Sequence, residues 1–121
     1  MDILIVDDEK DLCNILTLFC VRKNFTVSCA FTLQNAMTQL ESLPRLMFLD
    51  NNLTDGSGLE LIKQFKIRSP RTKIAFITAS TNQTIRHEAF QRGADYFLAK
   101  PFHLQKVREI LSGMQEMTLA T

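Results

Sequence analysis

Residues 3–9 read Ile-Leu-Ile-Val-Asp-Asp-Glu. Four consecutive apolar residues, three of them β-branched, are typical of a strand that is buried on both faces. The apolar run stops at Asp7 and Asp8, so two carboxylates follow the strand directly. Because open α/β sheets bind ligands at the carboxyl ends of their strands, these two aspartates are candidate functional residues.

Outward from this strand, an apolar run followed by a helical repeat occurs five times. Leu12, Ile15, Leu16 and Phe19 recur at i, i+3, i+4 and i+7, which is the spacing of a helix face. Further strands are predicted at 25–30, 46–50, 73–78 and 96–99, and further helices near 33–40, 59–67, 84–92 and 104–114. Residues 51–57 contain Asn, Thr, Asp and Gly and are predicted to form a loop. Strands that alternate with helices indicate a three-layer α/β fold with a doubly wound, five-stranded parallel sheet.

The composition fits one domain and excludes several classes of protein. The chain has 121 residues, 45% of them hydrophobic, and 14 Lys+Arg against 13 Asp+Glu. A nearly balanced charge argues against direct nucleic-acid binding, although a DNA-binding domain could lie on a longer parent chain. No stretch approaches the roughly 20 apolar residues of a membrane-spanning helix. The three cysteines form no Cys-x-x-Cys pair, which argues against zinc and favours reduced thiols in the cytoplasm.

Polar residues follow four of the five predicted strands. They are Asp7 and Asp8 after the first strand, Asp50 at the end of the third, Thr78 at the end of the fourth and Lys100 after the fifth. Three neighbouring carboxylates would repel one another, and a divalent cation would relieve this repulsion. Carboxylate oxygens suit Mg²⁺, and a lysine and a hydroxyl add a positive charge and a donor. Together these residues predict a pocket for a phosphoryl group.

The same stretches resemble the receiver domain of bacterial response regulators, from Asp2 to about Met114. The matching pieces are I-L-I-V-D-D-E, F-L-D-N-N-L-T-D-G-S-G-L-E-L, I-A-F-I-T-A-S and G-A-D-Y-F-L-A-K-P-F. The resemblance implies a flavodoxin-like (β/α)5 fold with strand order 2-1-3-4-5. It also implies one receiver domain over residues 1–121, with any effector domain outside this chain. Thr54 departs from the family pattern, because proline is usual there, and we expect a more mobile loop as a result.

The resemblance gives a role to each matched acidic residue. Asp50 resembles the phosphoryl acceptor, which also binds the metal. Asp8 resembles the direct Mg²⁺ ligand, and Asp7 its companion acting through water. Asn52 occupies the place whose backbone carbonyl completes the metal coordination.

It also implies roles for four residues near the ends of strands four and five. Thr78 resembles the hydroxyl that moves to the phosphoryl group, and Lys100 the lysine that bridges to it. Phe97, three residues before Lys100, occupies the aromatic switch position, where its ring should turn inward once Thr78 has moved. Pro101 is the candidate for a cis peptide bond.

The implied function is a cytoplasmic signalling switch rather than an enzyme with an external substrate. A sensor histidine kinase, a phosphotransfer protein or a small phosphodonor would phosphorylate Asp50. The face built from helix four, strand five and helix five would then contact an effector domain, a partner or a second copy. Residues expected on that face are Arg86, Glu88, Tyr96, Lys106 and Glu109.

Other interpretations of these residues remain open. Taken singly, the Asp7-Asp8 pair could cap a helix, Asp50 could begin a turn, and Lys100 could be a solvated surface residue. A phosphohydrolase would need a second acid near the nucleophile, but positions 51 and 52 are both Asn. A flavin or nucleotide module would need a glycine-rich or hydroxyl-rich loop after strand one. A receiver-like interaction domain without phosphorylation would not need the acidic cluster, Thr78 and Lys100 together.

Overall fold

Five apolar runs form one parallel sheet at the centre of the molecule. The computed structural model describes residues 1–80 and 82–120, with side chains described as far as Gln115. The strands are β1 (Ile3–Val6), β2 (Val27–Ala30), β3 (Leu46–Asp50), β4 (Lys73–Thr78) and β5 (Tyr96–Ala99). Their order is β2-β1-β3-β4-β5, and all neighbouring strands are parallel. This confirms the predicted flavodoxin-like fold with strand order 2-1-3-4-5.

Helices cover both faces of the sheet. They are α1 (Lys10–Arg22), α2 (Leu33–Gln39), α3 (Gly58–Arg68), α4 (Gln83–Arg92) and α5 (Leu104–Ala120), and a 3-10 turn follows α2 at Leu40–Ser42. Leu4 and Val6 of β1 pack in the core under α2, α3 and α4, whereas Ile3 and Ile5 pack in the core under α1 and α5. Burial on both faces therefore explains the uninterrupted apolar run at the start of the chain. Within the described ranges, no helix combines the length and apolar character needed to cross a membrane.

Two predicted segments differ from the observed ones. Residues 51–57 are not simply a loop, because Asn52–Leu53 pairs antiparallel with Gly56–Ser57 in a two-residue ladder. Strand β2 begins at Val27, two residues later than predicted. The Thr26 amide donates to the carboxylate of Asp2 at 2.9 Å, and its carbonyl accepts from the Ile3 amide at 3.0 Å, so the first paired residue is Val27, opposite Ile3.

Candidate functional site

Three carboxylates meet at the carboxyl edge of the sheet. Strand register places them there, since Val6 pairs with Leu49 and the next residues are Asp7 and Asp50. Asp7 and Asp50 are buried and Asp8 is exposed, and one carboxylate oxygen of each lies within 4.8 Å of the others. The structure therefore brings together the acidic residues predicted from strands one and three.

Lys100 is the cation that faces this acidic cluster. Its Nζ lies 2.9 Å from Asp50 Oδ1 and 3.5 Å from Asp7 Oδ2. The Lys100 amide donates to the Thr78 carbonyl at 2.8 Å, which fixes the lysine at the end of the adjacent strands. Glu9 Oε1 also lies 3.5 Å from Nζ. Glu9 was not predicted from the sequence as a site residue, although its place directly after Asp7-Asp8 could have suggested it.

Burial sets the electrostatics of the site. Desolvation is the largest cause that raises the pKa of Asp50 above its ordinary value, and it outweighs the hydrogen bond from Lys100. The pKa of Asp7 is raised for the same main reason. For Lys100, burial lowers the pKa, but the Asp50 hydrogen bond and the nearby carboxylates outweigh burial and leave the pKa raised. The protein thus holds two carboxylates in an environment that disfavours their charge.

The donor set fits a hard divalent cation. Asp7, Asp8 and Asp50 each offer one carboxylate oxygen to a common point. Among the described residues, buried Asp7 Oδ2 accepts no hydrogen bond, and a buried acceptor of this kind is costly unless something else satisfies it. The Asn52 amide donates to Asp50 Oδ2 at 3.2 Å, so the Asn52 backbone lies beside Asp50. The role of its carbonyl as a ligand remains a prediction.

Thr78 connects the site to the start of α4. It is buried at the end of β4, and its Oγ1 accepts a hydrogen bond from the Ser80 amide at 3.2 Å. Ser80 Oγ accepts one from the Asn82 amide at 3.2 Å, and Asn82 Oδ1 accepts one from Thr84 at 2.8 Å, which caps α4. These four residues form a hydrogen-bonded series from the sheet edge to the first turn of the helix.

Phe97, at the predicted aromatic switch position, is largely buried in this structure. Its side chain is already buried, with 7% exposure, in the core under α4. The ring lies 6.1 Å from that of Phe76 and 6.4 Å from that of Phe90, and the Arg86 guanidinium lies 5.2 Å from its centre. Little apolar area of the ring is therefore left to bury in this structure. The response of Phe97 to phosphorylation stays a prediction.

The loop after Asp50 approaches the sheet closely. Asn51 Oδ1 accepts hydrogen bonds from Ser57 Oγ at 2.9 Å and from the Leu59 amide at 3.1 Å. A Cβ on Gly58 would lie 2.2 Å from the Asp50 carbonyl oxygen, so only glycine fits at that position. The peptide bond before Pro101, for which the cis form is predicted, is cis. Neither Asn51 nor Gly58 was singled out from the sequence.

Comparison with known proteins gives the family. The family model described as response regulator receiver domain matches residues 3–112. The chain belongs to this receiver domain family. Among curated proteins, it is 36% identical over 110 residues to response regulator protein PilR from Pseudomonas aeruginosa. That alignment covers 90% of this chain but 25% of PilR, so this chain spans only a part of such relatives.

Solved structures agree with the fold. A two-component response regulator from Clostridium difficile superposes with a TM-score of 0.89 at 26% identity, covering 96% of each chain. A response regulator from Burkholderia pseudomallei, solved with a phosphorylated aspartic acid, a calcium ion and citrate, gives a TM-score of 0.83. It is 23% identical and covers 97% of this chain and 72% of that one, a likeness that shows the fold alone.

Proposed function

We propose that this domain is a phosphorylation switch in which Asp50 accepts a phosphoryl group. The donor is a sensor histidine kinase, a phosphotransfer protein or a small phosphodonor, and Mg²⁺ is the cofactor. One observation carries the proposal: Asp50 Oδ1 lies 2.9 Å from the Lys100 ammonium at the rim of the acidic cluster. The Burkholderia pseudomallei protein carries a phosphorylated aspartic acid and a cation on the same fold, which supports it.

The protein groups that this chemistry needs are all in the site. An Asp50 carboxylate oxygen attacks phosphorus, a P–O bond to Asp50 forms, and the P–N bond of a phosphohistidine or the P–O bond of a small donor breaks with its electron pair. Lys100 neutralises charge on the transferred oxygens, and Thr78 offers them a hydroxyl donor. Mg²⁺, held by Asp8, Asp50 and the Asn52 carbonyl, with Asp7 acting through water, would supply further charge neutralisation. Attack by water on phosphorus then breaks the bond to Asp50 and resets the switch.

The domain catalyses its own phosphorylation and dephosphorylation and turns over no external substrate. A phosphohydrolase with an aspartyl nucleophile needs a neighbouring acid to protonate its leaving group. The two residues that follow Asp50 are Asn51 and Asn52, which are not acids. The Asn51 side-chain oxygen accepts hydrogen bonds from Ser57 and Leu59. This arrangement favours a stoichiometric acyl phosphate.

The signal leaves the site through Thr78 and α4. If Thr78 Oγ1 moves to the phosphoryl group, the Ser80 amide loses its acceptor, and the hydrogen-bonded series to Asn82 is disturbed. Helix α4 buries little of its surface, since Ala89 is the only fully buried residue among its ten. A small change at its first turn can therefore shift the helix, which biases a two-state surface.

The face built from α4, β5 and α5 would carry the output. Three of its predicted residues are exposed and two are half-buried, so all five reach the surface; they are Arg86, Glu88, Tyr96, Lys106 and Glu109. Mixed charge suits specific pairing with an effector domain, a partner or a second copy.

The 121 residues would form one receiver domain. The free cysteines suit the reducing conditions of the cytoplasm.

The test is uptake of phosphoryl groups from acetyl phosphate with Mg²⁺, followed by intact mass. Wild type should gain one phosphoryl group, and chelator should prevent the gain. Asp50→Asn should gain none, whereas Asp11→Asn, which removes an exposed carboxylate of α1, should behave as wild type. Undiminished phosphorylation of Asp50→Asn would show that the acceptor lies elsewhere.

A further inference from the structure

The loop that carries Asn52 is tied to a distant helix by one carboxylate. Asp55 Oδ1 accepts a hydrogen bond from the Leu33 amide at 2.9 Å, and Asp55 Oδ2 accepts one from the Gln34 amide at 3.0 Å. Leu33 and Gln34 are the first two residues of α2, whose amides have no partner within the helix. These hydrogen bonds hold the pKa of Asp55 below its ordinary value, so the group stays ionised near neutral pH.

The position of Asp55 makes this tie relevant to the acceptor. Thr54 and Asp55 form the turn between the two strands of a hairpin, in which Asn52 pairs with Ser57 and Leu53 with Gly56. A residue other than proline at position 54 leaves the backbone free to rotate about φ, so the sequence of the turn does not fix its shape. The hydrogen bonds that Asp55 accepts from α2 hold the turn in one shape instead.

Contacts of the rest of the loop link Asp55 to the site. Leu53 is 9% exposed and belongs to the core under α2. Gly56 adopts a φ of 149°, and a Cβ placed on it would lie 3.3 Å from Leu33 Cδ1, so the turn rests against the residue that Asp55 binds. At the other end of the ladder, the Asn52 amide lies 3.2 Å from Asp50 Oδ2.

We propose that Asp55 is a positioning residue for the phosphorylation site: its clamp on α2 holds the 52–57 hairpin so that the Asn52 backbone stays beside Asp50. This inference rests on the proposed function, because it gives the Asn52 carbonyl its place among the Mg²⁺ ligands. Asp55 itself touches neither the metal nor the phosphoryl group. Its effect passes through the two-residue ladder.

A purely structural role is the competing explanation, since Asp55 could do no more than cap α2. The chain supplies a matched control for this. Thr32 Oγ1 accepts a hydrogen bond from the Asn35 amide at 3.1 Å, so Thr32 caps the same helix. No described hydrogen bond joins the Thr32 side chain to residues 51–57. Thr32→Ala should therefore loosen α2 by a comparable amount and leave the hairpin anchored by Asp55.

The experiment compares wild type, Asp55→Ala, Asp55→Asn and Thr32→Ala by two measurements. The first is amide hydrogen exchange, in the metal-free protein, of Leu53, which pairs with Gly56, and of Gly58, whose amide donates to the Asn51 carbonyl at 2.8 Å. The second is the Mg²⁺ dissociation constant from chemical-shift titration. In Asp55→Ala we expect exchange of these two amides to rise roughly fivefold and Mg²⁺ affinity to fall roughly fivefold. Asp55→Asn, which keeps one acceptor oxygen, should lie between Asp55→Ala and wild type. Thr32→Ala should change the α2 amides only.

Two results would overturn the positioning role. One is wild-type Mg²⁺ affinity in Asp55→Ala, and the other is an equal loss of affinity in Thr32→Ala, which would make Asp55 a helix cap only. Phosphorylation of the wild type by acetyl phosphate keeps the two proposals apart. If the wild type is not phosphorylated but Asp55→Ala weakens Mg²⁺ binding, the switch function fails and the positioning role stands.

Discussion

Replacing Lys100 by methionine removes the ammonium that faces two buried carboxylates and keeps most of the apolar stem. Nζ lies 2.9 Å from Asp50 and 3.5 Å from Asp7. Without it, both carboxylates keep their burial and lose their counter-charge. We therefore expect Lys100→Met to lower the free energy of unfolding at neutral pH, although the substituted position contributes little to the apolar core.

The magnitude follows from the geometry. At an effective dielectric constant of about 20, unit charges at the Lys100–Asp50 separation attract by roughly 6 kcal/mol, most of which offsets the cost of burying the ions. Removing one partner of a fully buried pair costs about 3–5 kcal/mol. The Lys100 side chain is 20% exposed, so water can enter and solvate the carboxylates. We expect a net loss of about 2 kcal/mol.

The stability deficit of Lys100→Met should depend on pH. Burial raises the pKa of Asp50 and Asp7 in the folded protein, and loss of Lys100 raises it further. A carboxylate with a raised folded pKa binds its proton more tightly in the native state, so its contribution favours folding at low pH and is lost as pH rises through the folded pKa. The deficit of Lys100→Met should therefore be full at neutral pH and shrink in mild acid. Lys100 has a raised pKa, so in the wild type its own stabilising contribution is lost only in alkali.

The loss in free energy of unfolding is measured by urea denaturation, followed by far-ultraviolet circular dichroism at neutral and at mildly acidic pH. Lys106→Met, which removes an exposed lysine of α5, controls for the change in net charge. Equal stability of Lys100→Met and Lys106→Met at neutral pH would refute the reasoning. A deficit of the same size at both pH values would show that it comes from packing and not from the carboxylates.

Three further predictions concern the acceptor, the metal and the output. Asp50→Asn should raise the melting temperature, because burial makes the charge of Asp50 unfavourable on balance; a lower melting temperature in differential scanning calorimetry would contradict this. Mg²⁺ at about 100 times its dissociation constant should stabilise the wild type by about 2.7 kcal/mol, and Asp8→Asn should lose most of this gain. In Asp8→Asn, an undiminished effect of Mg²⁺ on thermal unfolding would exclude Asp8 as a ligand. Thr78→Val should still bind beryllofluoride, a stand-in for the phosphoryl group, but amide shifts in α4 should be lost; wild-type shifts there would exclude the Thr78–Ser80 route.

The pattern of residues along the chain predicted the order and type of the main elements and the acidic edge of the sheet. It did not predict which side of α1 is buried. The spacing of Leu12, Ile15, Leu16 and Phe19 predicted a helix, and Leu16 is fully buried, but Ile15 is 48% exposed. The buried residues of α1 are Cys13, Leu16 and Cys20. Rotation of a helix about its axis depends on how it fits the sheet, which the residue types alone do not specify.

The sequence by itself determined that β1 is buried on both faces and that polar residues end four strands. Each of these depends on neighbours along the chain. Only the tertiary structure decided that Glu9 shares Lys100, that Phe97 is already buried and that Asp55 binds the start of α2. The physical reason is that such contacts join residues far apart in sequence. Their distances follow from strand register, helix rotation and the burial that these produce together.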